Sequence, residues 1–155
     1  MSDTQFLQQA INLAMENVRA GGRPFGAIVV CDGQVVASGV NQILELNDPT
    51  AHAELMALRQ AGQKLSRVKL DDCVVYASGQ PCPMCLAAMR MAGISRVVYA
   101  YSNDDAAPFG LSTDAIAKAL RVVPEQQSGL RFEQLKPNDE TRSTLYQQWW
   151  ERQSK

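Results

Sequence analysis

Apolar residues recur at Phe6, Leu7, Ala10, Ile11, Ala14, Met15 and Val18, the spacing of one helix face, and predict a helix over residues 3–20. Gly21-Gly22 ends it, because glycine accepts the left-handed conformation of a helix C-terminus. The pattern then changes period. Residues 25–30 form an unbroken apolar run, Asp32-Gly33 is a two-residue hairpin signal, and residues 34–38 return as a second strand. Residues 41–47 read as a loop. Asp48 followed by Pro49 has the form of an N-cap with proline in the first turn, and predicts a helix through His52 and Glu54 to about Gly62. A strand over 73–77, a helix over 81–92 closed by Gly93, a strand over 96–100 and a helix over 112–121 follow. A short fifth strand around Phe132 and a helix over 141–153 complete the chain. A hairpin followed by alternating helices and strands predicts an α/β fold, a mixed sheet covered on both faces. Ligands in such sheets gather at strand carboxyl ends, where helices begin.

Length and composition narrow the class. At 155 residues the chain is long enough for one domain, residues 1–155, with a full core. Hydrophobic residues are 46% and charged residues 20%, which excludes general disorder. Fifteen basic residues against sixteen acidic give a net charge of −1, which argues against a nucleic-acid partner, although Arg59, Lys64, Arg67 and Lys69 cluster. No apolar run approaches the ~20 residues of a membrane span, and Met1-Ser2-Asp3-Thr4 has no basic flank. The expectation is a cytoplasmic protein with no membrane partner.

Four cysteines are few for a disulfide scaffold, and two of them form Cys82-Pro83-Met84-Cys85 at a predicted helix start. Residues i and i+3 share a helix face, and the first turn of a helix favours thiolates. His52 is the chain's one histidine. Two thiolates and an imidazole suit Zn2+, and three protein ligands leave a fourth position for water. Glu54 is then the candidate base. On an ideal helix residues 52 and 54 diverge by roughly 200°, so both reach one water only if the metal lies off the helix end. Two other readings stand beside this one. The C-x-x-C pair also suits a dithiol redox protein, and Cys31 or Cys73 as a fourth ligand would make a zinc-stabilised scaffold. The joint pattern H-x-E then P-C-x-x-C is the zinc deaminase signature, with the glutamate as acid/base rather than ligand.

Pro24-Phe25-Gly26-Ala27, Asn47 to Glu54 and Pro81 to Cys85 resemble the cytidine and deoxycytidylate deaminase superfamily, and within it most closely the small bacterial guanine deaminases. The tRNA adenosine deaminases share much of the central stretch. The resemblance implies a three-layer α/β/α sandwich around a five-stranded mixed sheet, one Zn2+ per chain, and hydrolytic release of an exocyclic amine. Its substrate would be a small nucleobase, guanine first. Isocytosine, cytosine, guanosine, an aminotriazine and tRNA adenosine are the alternatives. It implies a homodimer, with the C-terminal segment exchanged between subunits in many members. It places His52, Cys82 and Cys85 on the metal, Glu54 as the proton carrier, and Asn41, Ala53, Phe25 and Asp114 at the substrate. Three features depart from the family pattern: Thr113 stands where an ungapped alignment expects an acid, with Asp114 one position later, Gln80 replaces a frequent glutamate, and Trp149-Trp150 sits near the C-terminus.

Overall fold

The computed structural model describes residues 1–137 and 139–153, which fall into two compact units, Met1–Lys118 and Ala119–Lys155. In the first unit, Ser2 caps α1 (Asp3–Arg19). The Gln5 N–H donates to the Ser2 hydroxyl at 3.2 Å, and the Ser2 N–H donates to the Gln5 side chain at 2.8 Å. Phe6, Ala10, Ala14 and Asn17, spaced by three and four, form the buried face of that helix.

β1 (Gly26–Cys31) turns into β2 (Gln34–Val40) through Asp32 and Gly33, both at positive φ (51° and 74°), the turn that matches strand twist. β3 (Cys73–Gly79) pairs antiparallel with the other side of β1, and β4 (Arg96–Tyr101) runs parallel to β3. The sheet order is β2-β1-β3-β4. Side chains alternate across it. Ile28, Val30 and Tyr76 face α1 with Phe6. Ala27, Val29, Val75 and Ala77 face the other way, against α3 (Ala53–Leu65) and α4 (Pro83–Met91). The result is three layers, helix, sheet and helix pair. Ala53, Ala57 and Ala61 are all fully buried and make the contact face of α3. They let α3 lie so close to β2 that a Cβ on Gly39 would stand 2.4 Å from the Ala53 carbonyl oxygen.

The sheet has four strands, not the expected five. Residues 127–137, Phe132 among them, pair with no strand among the described residues. The alternation of Leu130, Arg131, Phe132 and Glu133 is a local signal, whereas a strand needs a neighbour to take up its N–H and C=O groups. The described part of the second unit instead has a 3-10 turn (Pro124–Gln126), an irregular stretch and a helix (Asp139–Gln153). Ser154 and Lys155, the end of the sequence, lie outside the described residues. Among those described, no helix is long and apolar enough to cross a membrane.

The helix expected from Asp48 starts later, since α3 begins at Ala53. The Asp48 carboxylate accepts the Thr50 N–H at 2.8 Å and the Thr50 hydroxyl at 2.7 Å, closing a side-chain turn in place of a helix cap. The loop before it holds a short helix, α2 (Ile43–Leu46).

The N-terminus of α1 is fastened to the sheet by Asp3. Its carboxylate accepts Arg96 Nη2 at 2.6 Å and the Tyr76 hydroxyl at 2.6 Å. These bonds, the Arg96 guanidinium first, hold the Asp3 carboxyl at about 2. A carboxyl depressed on folding stabilises the fold fully above its unfolded pKa near 3.8, and the gain fades as pH falls toward 2. Asp3→Asn is therefore expected to lower the urea midpoint at neutral pH. The gap to the wild type should close in acid across that window. A gap independent of pH would show that the ion pair contributes nothing.

Candidate active site

The carboxyl ends of β2 and β3 and the start of β1 lie at the same end of the strands, and the N-termini of α3 and α4 point to the same place. His52 is the N-cap of α3, with extended backbone (φ −71°, ψ 154°), and Cys82 is the N-cap of α4 (φ −70°, ψ 167°). Pro83 begins α4, where its missing N–H costs nothing. Since His52 precedes the helix, the 200° divergence expected of residues 52 and 54 on a helix does not arise. Both reach the same cavity.

Three donor atoms converge there. His52 Nδ1 lies 3.4 Å from Cys82 Sγ and 3.5 Å from Cys85 Sγ, and the two sulfurs are 3.6 Å apart. Two sulfurs and an imidazole nitrogen at these separations suit a tetrahedral zinc ion, for which Zn–S of ~2.3 Å and Zn–N of ~2.1 Å require spacings of roughly 3.5 to 3.8 Å. Cys31 and Cys73 form a separate cluster and offer no fourth ligand. Hydrogen bonds from Cys85 and His52 pull the Cys82 thiol down to about 4, and the Cys82 thiolate with burial pushes Cys85 up. The same Cys82 contact raises His52. Glu54 is buried, and burial raises its carboxyl to about 7, where it both takes and gives protons near neutrality.

The cavity above these groups measures about 190 Å³. Phe25, Asn41, His52, Glu54 and Cys82 line it, together with Arg23 and the segment from Gly110 to Thr113. A larger, mostly apolar cavity of about 310 Å³ adjoins it through Phe25, Gln80 and Leu111. The chemistry lies in the smaller one. Asn41 is buried; its Oδ1 accepts the Ile43 N–H at 3.2 Å, and its Nδ2 has no partner among the described residues. Ala53 is fully buried and does not line the cavity. As the first residue of α3 it belongs to the turn whose N–H groups lack intrahelical partners. Asp114 is not brought to the cavity either. It opens the helix Asp114–Ala119 and its carboxylate pairs with Lys118 at 3.0 Å, while Thr113 takes the lining position.

The sequence reading missed two groups. Arg23 is the one cation among the lining residues. Asn17 is a buried strut: its Nδ2 donates to the Arg23 carbonyl at 2.8 Å and to the Asn41 carbonyl at 3.0 Å, tying two lining segments to α1. A Cβ on Gly22 would stand 2.6 Å from that nitrogen, so the segment closes over Asn17 only with glycine. The signal was present, since Asn17 continues the buried Phe6, Ala10, Ala14 face of α1.

This fold and donor set define a class. Residues 1–101 match the family described as the cytidine and deoxycytidylate deaminase zinc-binding region, and the chain belongs to that family of zinc-dependent hydrolytic deaminases. It is 44% identical to the guanine deaminase of Bacillus subtilis over 129 residues, 83% of each chain. It superimposes on the X-ray structure of that species' guanine deaminase with a TM-score of 0.88 and 40% identity, covering 97% of this chain and 95% of the other. It is also 35% identical to the tRNA-specific adenosine deaminase of Aquifex aeolicus over 99 residues, 64% of this chain and 66% of that one.

Proposed function

We propose that the chain is a guanine deaminase, converting guanine and water to xanthine and ammonia in one deaminase domain spanning residues 1–155. The observation that carries this is the triangle of His52 Nδ1, Cys82 Sγ and Cys85 Sγ beside the buried Glu54 in a small cavity. The two comparisons with Bacillus subtilis guanine deaminase support the choice of base. Zinc held by His52, Cys82 and Cys85 supplies the Lewis acidity that makes a water reactive at neutral pH. Glu54 carries one proton of that water to the ring nitrogen and the other to the departing amine. The water oxygen becomes the new carbonyl as the carbon–nitrogen bond breaks. Asn41 offers its Nδ2 to an acceptor on the base, and Phe25 packs against the ring. Asp114 would have to leave Lys118 to join them; Thr113 already stands in the cavity wall.

A tRNA substrate is disfavoured by the basic run. Arg67 pairs with Asp72 at 2.7 Å and lies 3.8 Å from Asp71, so the run is partly neutralised. Cytoplasmic location and a homodimer with an exchanged C-terminal segment complete the proposal. Exposed Leu145, Tyr146 and Trp149 on the C-terminal helix are the apolar surface that supports such an exchange.

The test is ammonia release by zinc-loaded protein from guanine, guanosine, cytosine, isocytosine, adenine and aminotriazines. Guanine is expected to have the highest kcat/KM; efficient turnover of another compound with guanine untouched would overturn the assignment. The Asn17 strut gives a second check. Asn17→Ala frees the Arg23 and Asn41 carbonyls and should raise KM for the preferred base by on the order of tenfold, with kcat changing much less. A fall confined to kcat would contradict a positioning role.

A further inference from the structure

The geometry points to a second cation site, for a thiophilic divalent ion such as Zn2+ or Cd2+, formed by Cys31, Asp72 and Cys73 with Arg67 behind it. Cys31 ends β1 and Cys73 begins β3, and the two are directly paired across the antiparallel ladder. The family's zinc site lies beyond the opposite ends of the same strands, about 20 Å away at ~3.3 Å per residue. The two sites therefore share no ligand. The two sulfurs and a carboxylate oxygen all lie within 4.8 Å of one another. Cys31 Sγ is 3.3 Å from Asp72 Oδ2, and Cys73 Sγ is 3.5 Å from Asp72 Oδ1. A tetrahedral ion with Zn–S of ~2.3 Å and Zn–O of ~2.1 Å needs sulfur–oxygen separations of roughly 3.6 Å, so the donors are already close to ligating distance.

Charge points the same way. With both thiols ionised the cluster carries three negative charges. Arg67 Nη2 sits 2.7 Å from Asp72 Oδ1 and 3.9 Å from Cys31 Sγ and cancels one, leaving two to match a divalent ion. A ligating carboxylate held by an outer hydrogen bond is the arrangement that fixes metal ligands in place. Access is open on one side, since Asp72 is half-exposed while both cysteines are buried.

The test is a Cd2+ titration of the reduced, zinc-loaded protein, reading the ultraviolet thiolate-to-cadmium charge-transfer band and counting both metals by elemental analysis. We expect one cadmium to bind while one zinc is retained. Cys31→Ser and Cys73→Ser should each lose the cadmium and keep the zinc. Alkylation mapped by mass spectrometry on the wild type covers the case in which a variant misfolds: cadmium should protect Cys31 and Cys73 together. A total of one metal per chain, with cadmium merely replacing zinc, would overturn the proposal. So would cadmium uptake that survives in folded Cys31→Ser, or cadmium that leaves Cys31 and Cys73 as open to alkylation as before.

Discussion

Glu54→Gln is expected to lower kcat for the preferred base by about three orders of magnitude or more, while zinc content stays at the wild-type level. The glutamine side chain fills the same buried space but carries no proton between water, ring and amine. Stability should move the other way. Burial pushes the Glu54 carboxyl up to about 7, so holding it charged at neutral pH works against the fold, and a neutral amide removes that cost. The thermal midpoint of metal-free Glu54→Gln should equal or exceed that of the metal-free wild type. Zinc-replete, folded Glu54→Gln that releases ammonia at the normal rate would remove Glu54 from the chemistry. A large drop in midpoint would instead mean that the carboxylate is held for structural reasons.

His52→Ser should produce the second large effect, again with activity and stability separating. His52 and Cys82 occupy N-cap positions, where serine, threonine, asparagine or aspartate ordinarily satisfies the first-turn N–H groups, yet neither side chain caps its helix. The site takes two helix starts that could otherwise add stability. Serine at position 52 restores a capping hydroxyl worth about 1 kcal/mol and removes the nitrogen ligand. Zinc per chain should fall from about one toward zero and deamination with it. The metal-free variant should melt at or above the metal-free wild type. Retention of stoichiometric zinc by His52→Ser would show that the histidine is not a ligand.

Local patterns carried most of the fold. The apolar runs of β1 and β3, the Asp32-Gly33 turn and the spacing on α1 each depend on neighbours a few residues away. The failures were of two kinds. Asp48-Pro49 carries a helix-start signal, but the Asp48 carboxylate closes on Thr50, and the competition between a side-chain turn and a cap is settled by geometry absent from the pattern. Phe132 has strand-like neighbours, but a strand needs a distant partner, and among the described residues it has none. The donor triangle was legible because the residue types are rare and their positions at helix starts converge. The walls were less so. Asp114 looks like a substrate acid in sequence, yet one residue of offset gives its carboxylate to Lys118 and puts Thr113 in the cavity. Asn17 acts through main-chain carbonyls, which no residue pattern displays.

X-ray absorption at the zinc edge of the purified, fully reduced protein with a single equivalent of bound zinc tests the central claim most directly. The account predicts two sulfurs, one imidazole nitrogen and one further light atom around the ion. Three or four sulfurs, or no imidazole, would mean that the ion sits elsewhere or that the position meant for water is filled by protein.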